Sequence, residues 1–291
     1  MTLLLIILAL LFSVTASGCD RDRVVNKQRL HGNDVRLFQG TPAWDLAKAI
    51  EDEDNALIRS IVATDPTILR VTEPVYGSAP LRLATSMFKL RSLVALLKLD
   101  TNINARDSFY GETILIGACG DPDVPLQIVQ TLVNAGCNVN DHAIGGRHPE
   151  YELRYTPLTV AADRGRADIV NLLLDHGARV NDTTNNGTSA LTHAINSYHY
   201  GLAKSLIERG ADYIRPLQRD WVSERPEYIL ETMRGSFHIQ IGSKKHIEKM
   251  KLVAYLQKKG LDYDKEPIPE YIVEKAKKMY PATWREFLKQ Y

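Results

Sequence analysis

Apolar residues recur through the middle of this chain in short paired clusters. Leu158, Val160, Ala161 and Ala162 form one cluster and Ile169, Val170, Leu172, Leu173 and Leu174 a second, with Gly177, Ala178, Val180 and Asn181 closing the run. Steps of three and four within each cluster predict two short amphipathic helices. The Thr156-Pro157 pair opens the first by capping and by a preset φ, and the glycine closes the second in a left-handed conformation. The arrangement returns in Ser189, Ala190, Leu191, Ala194, Leu206, Ile207, Gly210 and Ala211, with Leu191 33 residues beyond Leu158. Upstream, Gly111, Thr113, Leu115, Ala118, Val129, Leu132, Val133, Gly136, Val139 and Asn140 make another copy, with Cys137 at the position of Ala178. Before it, Ala79, Pro80, Leu81, Ala84, Leu93, Val94, Leu96, Leu97, Ile103 and Asn104 make one whose Leu81 lies 34 residues ahead of Leu115. A degenerate unit runs through Thr41, Trp44, Ala47, Leu57, Ile58, Ile61 and Val62. Leu252, Val253, Tyr255, Leu256, Gly260, Leu261 and Tyr263 outline a further second helix.

This period and its Thr-Pro-Leu opening resemble the ankyrin repeat. The resemblance implies an all-α fold, an ankyrin-repeat solenoid of five to six repeats over residues 41–263. One unit cannot bury its apolar face, so neighbours must stack to make the core. Residues 264–291 are expected to form a helical C-terminal cap, with Tyr271, Ile272, Ala276 and Met279 on one face and Trp284, Phe287 and Leu288 sealing the stack. Two stretches break the period. Leu115 and Leu158 are 43 residues apart. The excess lies in 142–154, where Gly145, Gly146 and Pro149 predict a finger on the loop edge that the core does not need. In 215–246, Trp221, Tyr228 and the alternating Phe237, Ile239 and Ile241 predict a helix followed by a short strand or hairpin.

The N-terminus is different in kind. Residues 1–18 carry no charge, and Leu3 to Val14 is apolar apart from Ser13. The run matches the hydrophobic region of a cleaved signal peptide and is too short to span a membrane comfortably. It ends in Ala16, Ser17, Gly18 and Cys19, which resembles a bacterial lipobox, although Ala16 stands where Leu is usual and no Lys or Arg precedes the run. That resemblance implies lipidation of Cys19. Ordinary secretion, with cleavage after the small residues, is the alternative. Residues 19–40 are polar and charge-mixed and are expected to be a flexible tether, with a reach of about 25 Å as a random coil. Asp20 resembles an inner-membrane retention signal.

Composition narrows the chemistry. With 36 Lys+Arg against 35 Asp+Glu the net charge is +1, so no field favours nucleic acid. The 3 cysteines form no Cys-x-x-Cys pair, which excludes a disulfide scaffold or a cysteine-rich zinc site. Hydrolase, metalloprotease and nucleotide-binding motifs are missing, so no enzyme activity, cofactor or metal is expected. Ser86 and Lys89 make a Ser-x-x-Lys without companions, and His142 with His148 on the finger lack a third ligand. Cys119 and Cys137 are read as small apolar fillers, with a bridge as the alternative. Residues 244–291 hold 12 Lys+Arg against 7 Asp+Glu. Glu248, Glu266, Glu270 and Glu274 interleave with them, so a solvated helix face is preferred to a contact with anionic headgroups.

What remains is surface. Phe109, Tyr110, Arg147, Tyr151, Arg154, Tyr155, Tyr198 and Tyr200 fall on fingers or inter-helix turns and have the residue types that dominate binding hot spots. They are the candidate partner-binding residues, together with the concave face that ankyrin stacking implies. The chain is similar to exported bacterial ankyrin lipoproteins, and within them to immunity proteins of type VI secretion phospholipase effectors. That resemblance implies a secreted phospholipase as protein partner and a membrane contact through the N-terminal lipid. It also implies a location in the bacterial cell envelope, facing the periplasm. A structural scaffold for envelope or stress-response proteins is the alternative.

Overall fold

The computed structural model describes residues 21–99, 102–147, 154–219, 226–235 and 239–290. Cys19 therefore lies outside the described residues. Helices come in pairs: Trp44–Glu51 (α1) with Asn55–Thr64 (α2), Pro80–Ser86 (α3) with Leu90–Leu97 (α4), and Ile114–Gly120 (α5) with Leu126–Asn134 (α6). Pro157–Asp163 (α7) and Ala167–Asp175 (α8) follow, then Ala190–Asn196 (α9) and Tyr200–Glu208 (α10), then Ile229–Arg234 (α11) and Lys244–Lys258 (α12). Glu270–Met279 (α13) and Trp284–Gln290 (α14) end the chain's helical order. Most of these helices are too short to persist alone, so packing stabilises them. The chain divides into two compact units, Met1–Ala118 with Asp123–Asn138 and Ala143–Glu152, and Cys119–Pro122 with Val139–His142 and Leu153–Tyr291.

Local chemistry explains the recurrence. Thr156 and Thr159 cap α7 reciprocally, and Ser189 and Thr192 do the same for α9, satisfying amide groups that a helix start leaves orphaned. Pro80 and Pro157 occupy first-turn positions where no amide donor is needed. Gly136, Gly177, Gly210 and Gly260 follow the second helices with φ of 97°, 85°, 94° and 92°. The next amide then reaches back to close the helix, as Ala178 N does to Leu173 O at 2.9 Å and Ala211 N to Leu206 O at 2.9 Å.

In the first unit α1 packs on α3, α2 on α4 and α4 on α6; in the second α7 packs on α9, α9 on α11 and α10 on α12. First helices thus stack on first helices and second on second. Leu46, Ile50, Ile58, Leu93 and Leu96 are fully buried in one unit, and Ala161, Leu173, Leu191, Ala194 and Leu206 in the other. An asparagine repeats the link on the loop side. Asn104 Oδ1 accepts from Asn138 N at 3.0 Å, Asn140 Oδ1 from Arg179 N at 2.8 Å, and Asn181 Oδ1 from Asp212 N at 2.8 Å. Ser92 adds a buried cross-repeat bond, donating to Ile50 O at 2.9 Å.

Four expectations change. The second half of the supposed tether is packed: Val35–Phe38 is a 3-10 turn whose Val35, Leu37 and Phe38 are buried against α1, because its three apolar side chains have a core to join. Leu30 O accepts from Tyr76 Oη at 2.8 Å, and Arg21 pairs with Glu51 and Asp52. In the first repeat Leu57 is exposed, since only Ile58 and Val62 lie on the inward stripe of α2. In 215–246 the order is reversed. A two-residue ribbon, Gln218–Arg219 (β1) antiparallel to Pro226–Glu227 (β2), precedes α11, which is the first helix of the last pair. Phe237 is outside the described residues, while Ile239 is buried and Ile241 half-buried in the turn before Ser243 caps α12. In the cap, Ile272 and Ala276 are buried against Ile268, Trp284, Phe287 and Leu288, whereas Tyr271 and Met279 are more than half exposed.

Candidate functional site

In the first unit the loop Arg106–Glu112 is organised by one carboxylate. Asp107 Oδ1 accepts from Phe109 N at 2.9 Å and Tyr110 N at 2.6 Å, and Oδ2 accepts from Glu112 N at 3.3 Å. Arg82 Nη2, from the first turn of α3, lies 2.8 Å from Oδ2 and also donates to Glu112 O at 2.7 Å. Asp107 is buried, and a buried carboxylate must be met by donors of this quality. The neighbouring Glu112 carboxyl is pushed up by burial, which outweighs the opposing pull of Arg82.

A second buried carboxylate positions the adjacent loop. Glu73, 1% exposed, accepts from Val75 N at 2.7 Å, Tyr76 N at 2.9 Å and Ser78 N at 2.9 Å. The two turns bring three aromatic rings together: Tyr76 meets Phe109 edge-on at 5.3 Å and Phe109 meets Tyr110 edge-on at 4.6 Å. Tyr110 is 40% exposed and Phe109 half-buried, so this row presents a partly apolar, rigid edge.

The start of the inserted finger is fastened to that loop edge. Ile144 N donates to Gly111 O at 3.2 Å, and Arg147 N donates to Ser108 O and Phe109 O, both at 3.0 Å. Ala143 is buried. Gly146 makes the approach possible: a Cβ there would sit 2.3 Å from Phe109 O, and its φ is 39°. Arg147 is exposed beside the row. Tyr151 and His148 lie outside the described residues. Arg154, exposed with φ of 49°, has Nη2 3.3 Å from His142 Nε2.

Behind the same loop is a pocket of about 460 Å³. Leu69, Leu81 and Ile114 give it aliphatic walls, and Arg70, Arg82 and Arg106 line it with positive charge. Arg106 Nη1 donates to Gly111 O at 3.1 Å, whereas Arg70 is exposed and meets no hydrogen-bond or ion-pair partner among the described residues.

The remaining candidates lie in the second unit and serve different ends. Tyr155 is half-buried with its ring 5.7 Å from His193, and burial raises its phenol. Asp163, at the end of α7, accepts from Ser197 Oγ at 2.8 Å and has His193 Nδ1 at 3.6 Å; the histidine contact holds its carboxyl below the ordinary range. His193 Nε2 is 3.3 Å from Thr188 Oγ1, so this chain of polar groups ties α7 to α9. Tyr198 occupies an inter-helix turn at φ of 62°, with Lys245 Nζ 5.3 Å from its ring. Tyr200 corrects an expectation: it is fully buried in the first turn of α10 and has no surface to offer a partner.

Reasoning from sequence missed Tyr76, Arg70, Arg82 and Arg106. The last three occupy positions that the repeat leaves variable, so periodicity does not mark them. Asp107 had a signal, an Asp four residues ahead of Gly111 in a turn-rich stretch. Cys119 and Cys137 are both buried thiols, as the filler reading requires, and burial pushes Cys137 up to about 12. Among the described residues no cluster of three or more His, Cys, Asp or Glu is placed to hold a metal ion, and no helix is long and apolar enough to cross a membrane.

Residues 81–183 and 125–216 match the ankyrin-repeat family, in three copies. Over 83 residues the chain is 35% identical to an ankyrin repeat protein of fowlpox virus (strain NVSL). The similarity covers 28% of this chain and only 11% of the viral protein. The paired helices, the glycine closures and the asparagine links identify the same unit in the structure, and the fold from residue 81 to residue 216 is that of ankyrin repeats.

Proposed function

We propose that this chain is a non-enzymatic binder of another protein, held at a bacterial membrane by lipid on Cys19 and facing the periplasm. We propose further that the partner is a phospholipase effector, which the chain neutralises. Ankyrin repeats are protein-interaction modules, and the observation that supports a binding edge here is the Tyr76, Phe109 and Tyr110 row. Two buried carboxylates and the base of the finger fix it, although the helical core does not require it. Ordering such an edge in advance lowers the entropic cost of association. The phospholipase identity rests on the resemblance of the exported, lipobox-bearing chain to immunity lipoproteins. A membrane-tethered binder stands where a lipid-degrading toxin acts.

The test is a toxin challenge in cells, with and without the chain, joined to affinity capture by the full-length protein. Protection together with capture of a lipase supports the reading. Capture of envelope proteins without protection replaces it with the scaffold role. Mass spectrometry of the mature N-terminus decides the anchor: an unmodified Cys19 refutes lipidation.

A further inference from the structure

We propose that the pocket formed by Arg70, Arg82 and Arg106 over Leu69, Leu81 and Ile114 is the specificity pocket of this surface, and that it takes an acidic side chain flanked by an aliphatic one from a protein partner. The proposal rests on the protein-binding reading above and names the chemistry that the partner must bring.

Arg70 carries the argument. Of the three guanidinium groups that line the pocket, Arg82 is held by Asp107 and Arg106 donates to Gly111 O, while Asp107 is further occupied by the amide groups of Phe109, Tyr110 and Glu112. Arg70 stands at the pocket without an ion-pair partner among the described residues, so its guanidinium offers a fork that fits a carboxylate. Coulomb attraction falls with solvent exposure, and a pocket strengthens it by excluding water.

The aliphatic walls decide between anions. A volume of about 460 Å³ is far larger than a bare phosphate or carboxylate needs, and a purely polar ligand would leave Leu69, Leu81 and Ile114 unpaired. A two- or three-residue stretch such as Glu-Leu or Asp-Ile satisfies both surfaces. The pocket also adjoins the aromatic row, because Asp107 lines the one and holds the amides of the other, so a single extended segment can meet both.

Selection of a random dodecapeptide phage library on the full chain tests this. Enriched peptides are expected to carry Asp or Glu next to Leu, Ile, Val or Met. Arg70→Glu is expected to weaken the enriched peptides by at least tenfold while leaving the thermal transition in place, because Arg70 is exposed. Ala105→Trp, which plugs the pocket from an exposed position without changing charge, is expected to do the same. Enrichment of peptides without acidic residues, no enrichment, or equal binding by both variants overturns the proposal. If phosphatidylglycerol vesicles bind instead, and lose binding in Arg70→Glu, the pocket reads lipid headgroups and the proposal fails. Protein capture and toxin protection that survive both variants would leave the binding function standing and remove only this pocket from it.

Discussion

Replacing Gly165 by alanine isolates a single close contact in the repeat framework. Glu53, Phe88, Gly165 and Tyr198 hold the same left-handed turn between the two helices of four repeats, with φ of 54°, 56°, 69° and 62°. Three of these turns tolerate a side chain, so conformation alone costs about 1 kcal/mol. Gly165 differs in what lies beside it. A Cβ would fall 2.4 Å from His199 Cε1 and 2.5 Å from Nδ1. The imidazole must then swing away and give up its contact between Nε2 and Asp163 O at 3.1 Å, a loss of about 0.5 to 1.5 kcal/mol. Gly165→Ala is therefore expected to cost about 1.5 to 2.5 kcal/mol, the conformational and contact losses together. In a His199→Ala background the obstruction is gone and the same substitution should cost only about 1 kcal/mol. Urea unfolding followed by circular dichroism on the four proteins of the cycle measures both values. A cost for Gly165→Ala below about 0.5 kcal/mol, or one equal in the two backgrounds, refutes the contact argument.

Other outcomes follow from the same packing. Leu173 is fully buried in α8, and Leu173→Ala should destabilise by about 2 to 5 kcal/mol through lost burial and cavity formation; a cost near zero in denaturant unfolding would mean that the repeat register is wrong. Lys249 is 1% exposed, and burial, with Arg234 adding repulsion, lowers its pKa to about 7. An unfolded lysine keeps its proton to about 10.4, so between pH 7 and 9.5 the unfolded state binds the proton that the folded state has lost. Stability should rise with pH across that window and be flat below it on this account, and Lys249→Met should remove the slope; a slope that persists in the variant assigns it to another group. With Cys19 replaced by serine, Cys119 and Cys137 should resist iodoacetamide at pH 8 until urea is added, because both are buried and the Cys137 thiol stands at about 12. Rapid labelling of the folded protein would contradict their burial.

The repeat framework was legible because each of its parts is fixed by backbone chemistry that few residues supply. Proline sits at a first turn where no amide donor is needed, glycine follows a second helix with a positive φ, and asparagine on the loop accepts the amide of the next repeat. Residues 30–40 were misread for the converse reason. Val35, Leu37 and Phe38 make a cluster too short to show a period, so their burial against α1 is visible only in three dimensions.

The binding edge was half legible, and the reasons differ residue by residue. Tyr198 and Tyr200 are both tyrosines near one turn, but a helix begins between them. Tyr200, Ala203, Leu206 and Ile207 then follow the three-and-four spacing of a buried stripe, which sends Tyr200 inward while Tyr198 stays on the turn. Gly145 and Gly146 signalled a finger on the loop edge, without showing what it lies against. Gly146 serves contact, because only the missing Cβ lets the backbone lie against Phe109. The arginines of the pocket carry no periodic signal at all. Their placement depends on which variable positions of successive repeats meet at one loop, and that is set by stacking. A repeat protein therefore declares its scaffold in its recurring residues and hides its specificity in the rest. Arg70, exposed and without an ion-pair partner among the described residues, is the position where a substitution should change what is bound with the least effect on how the chain folds.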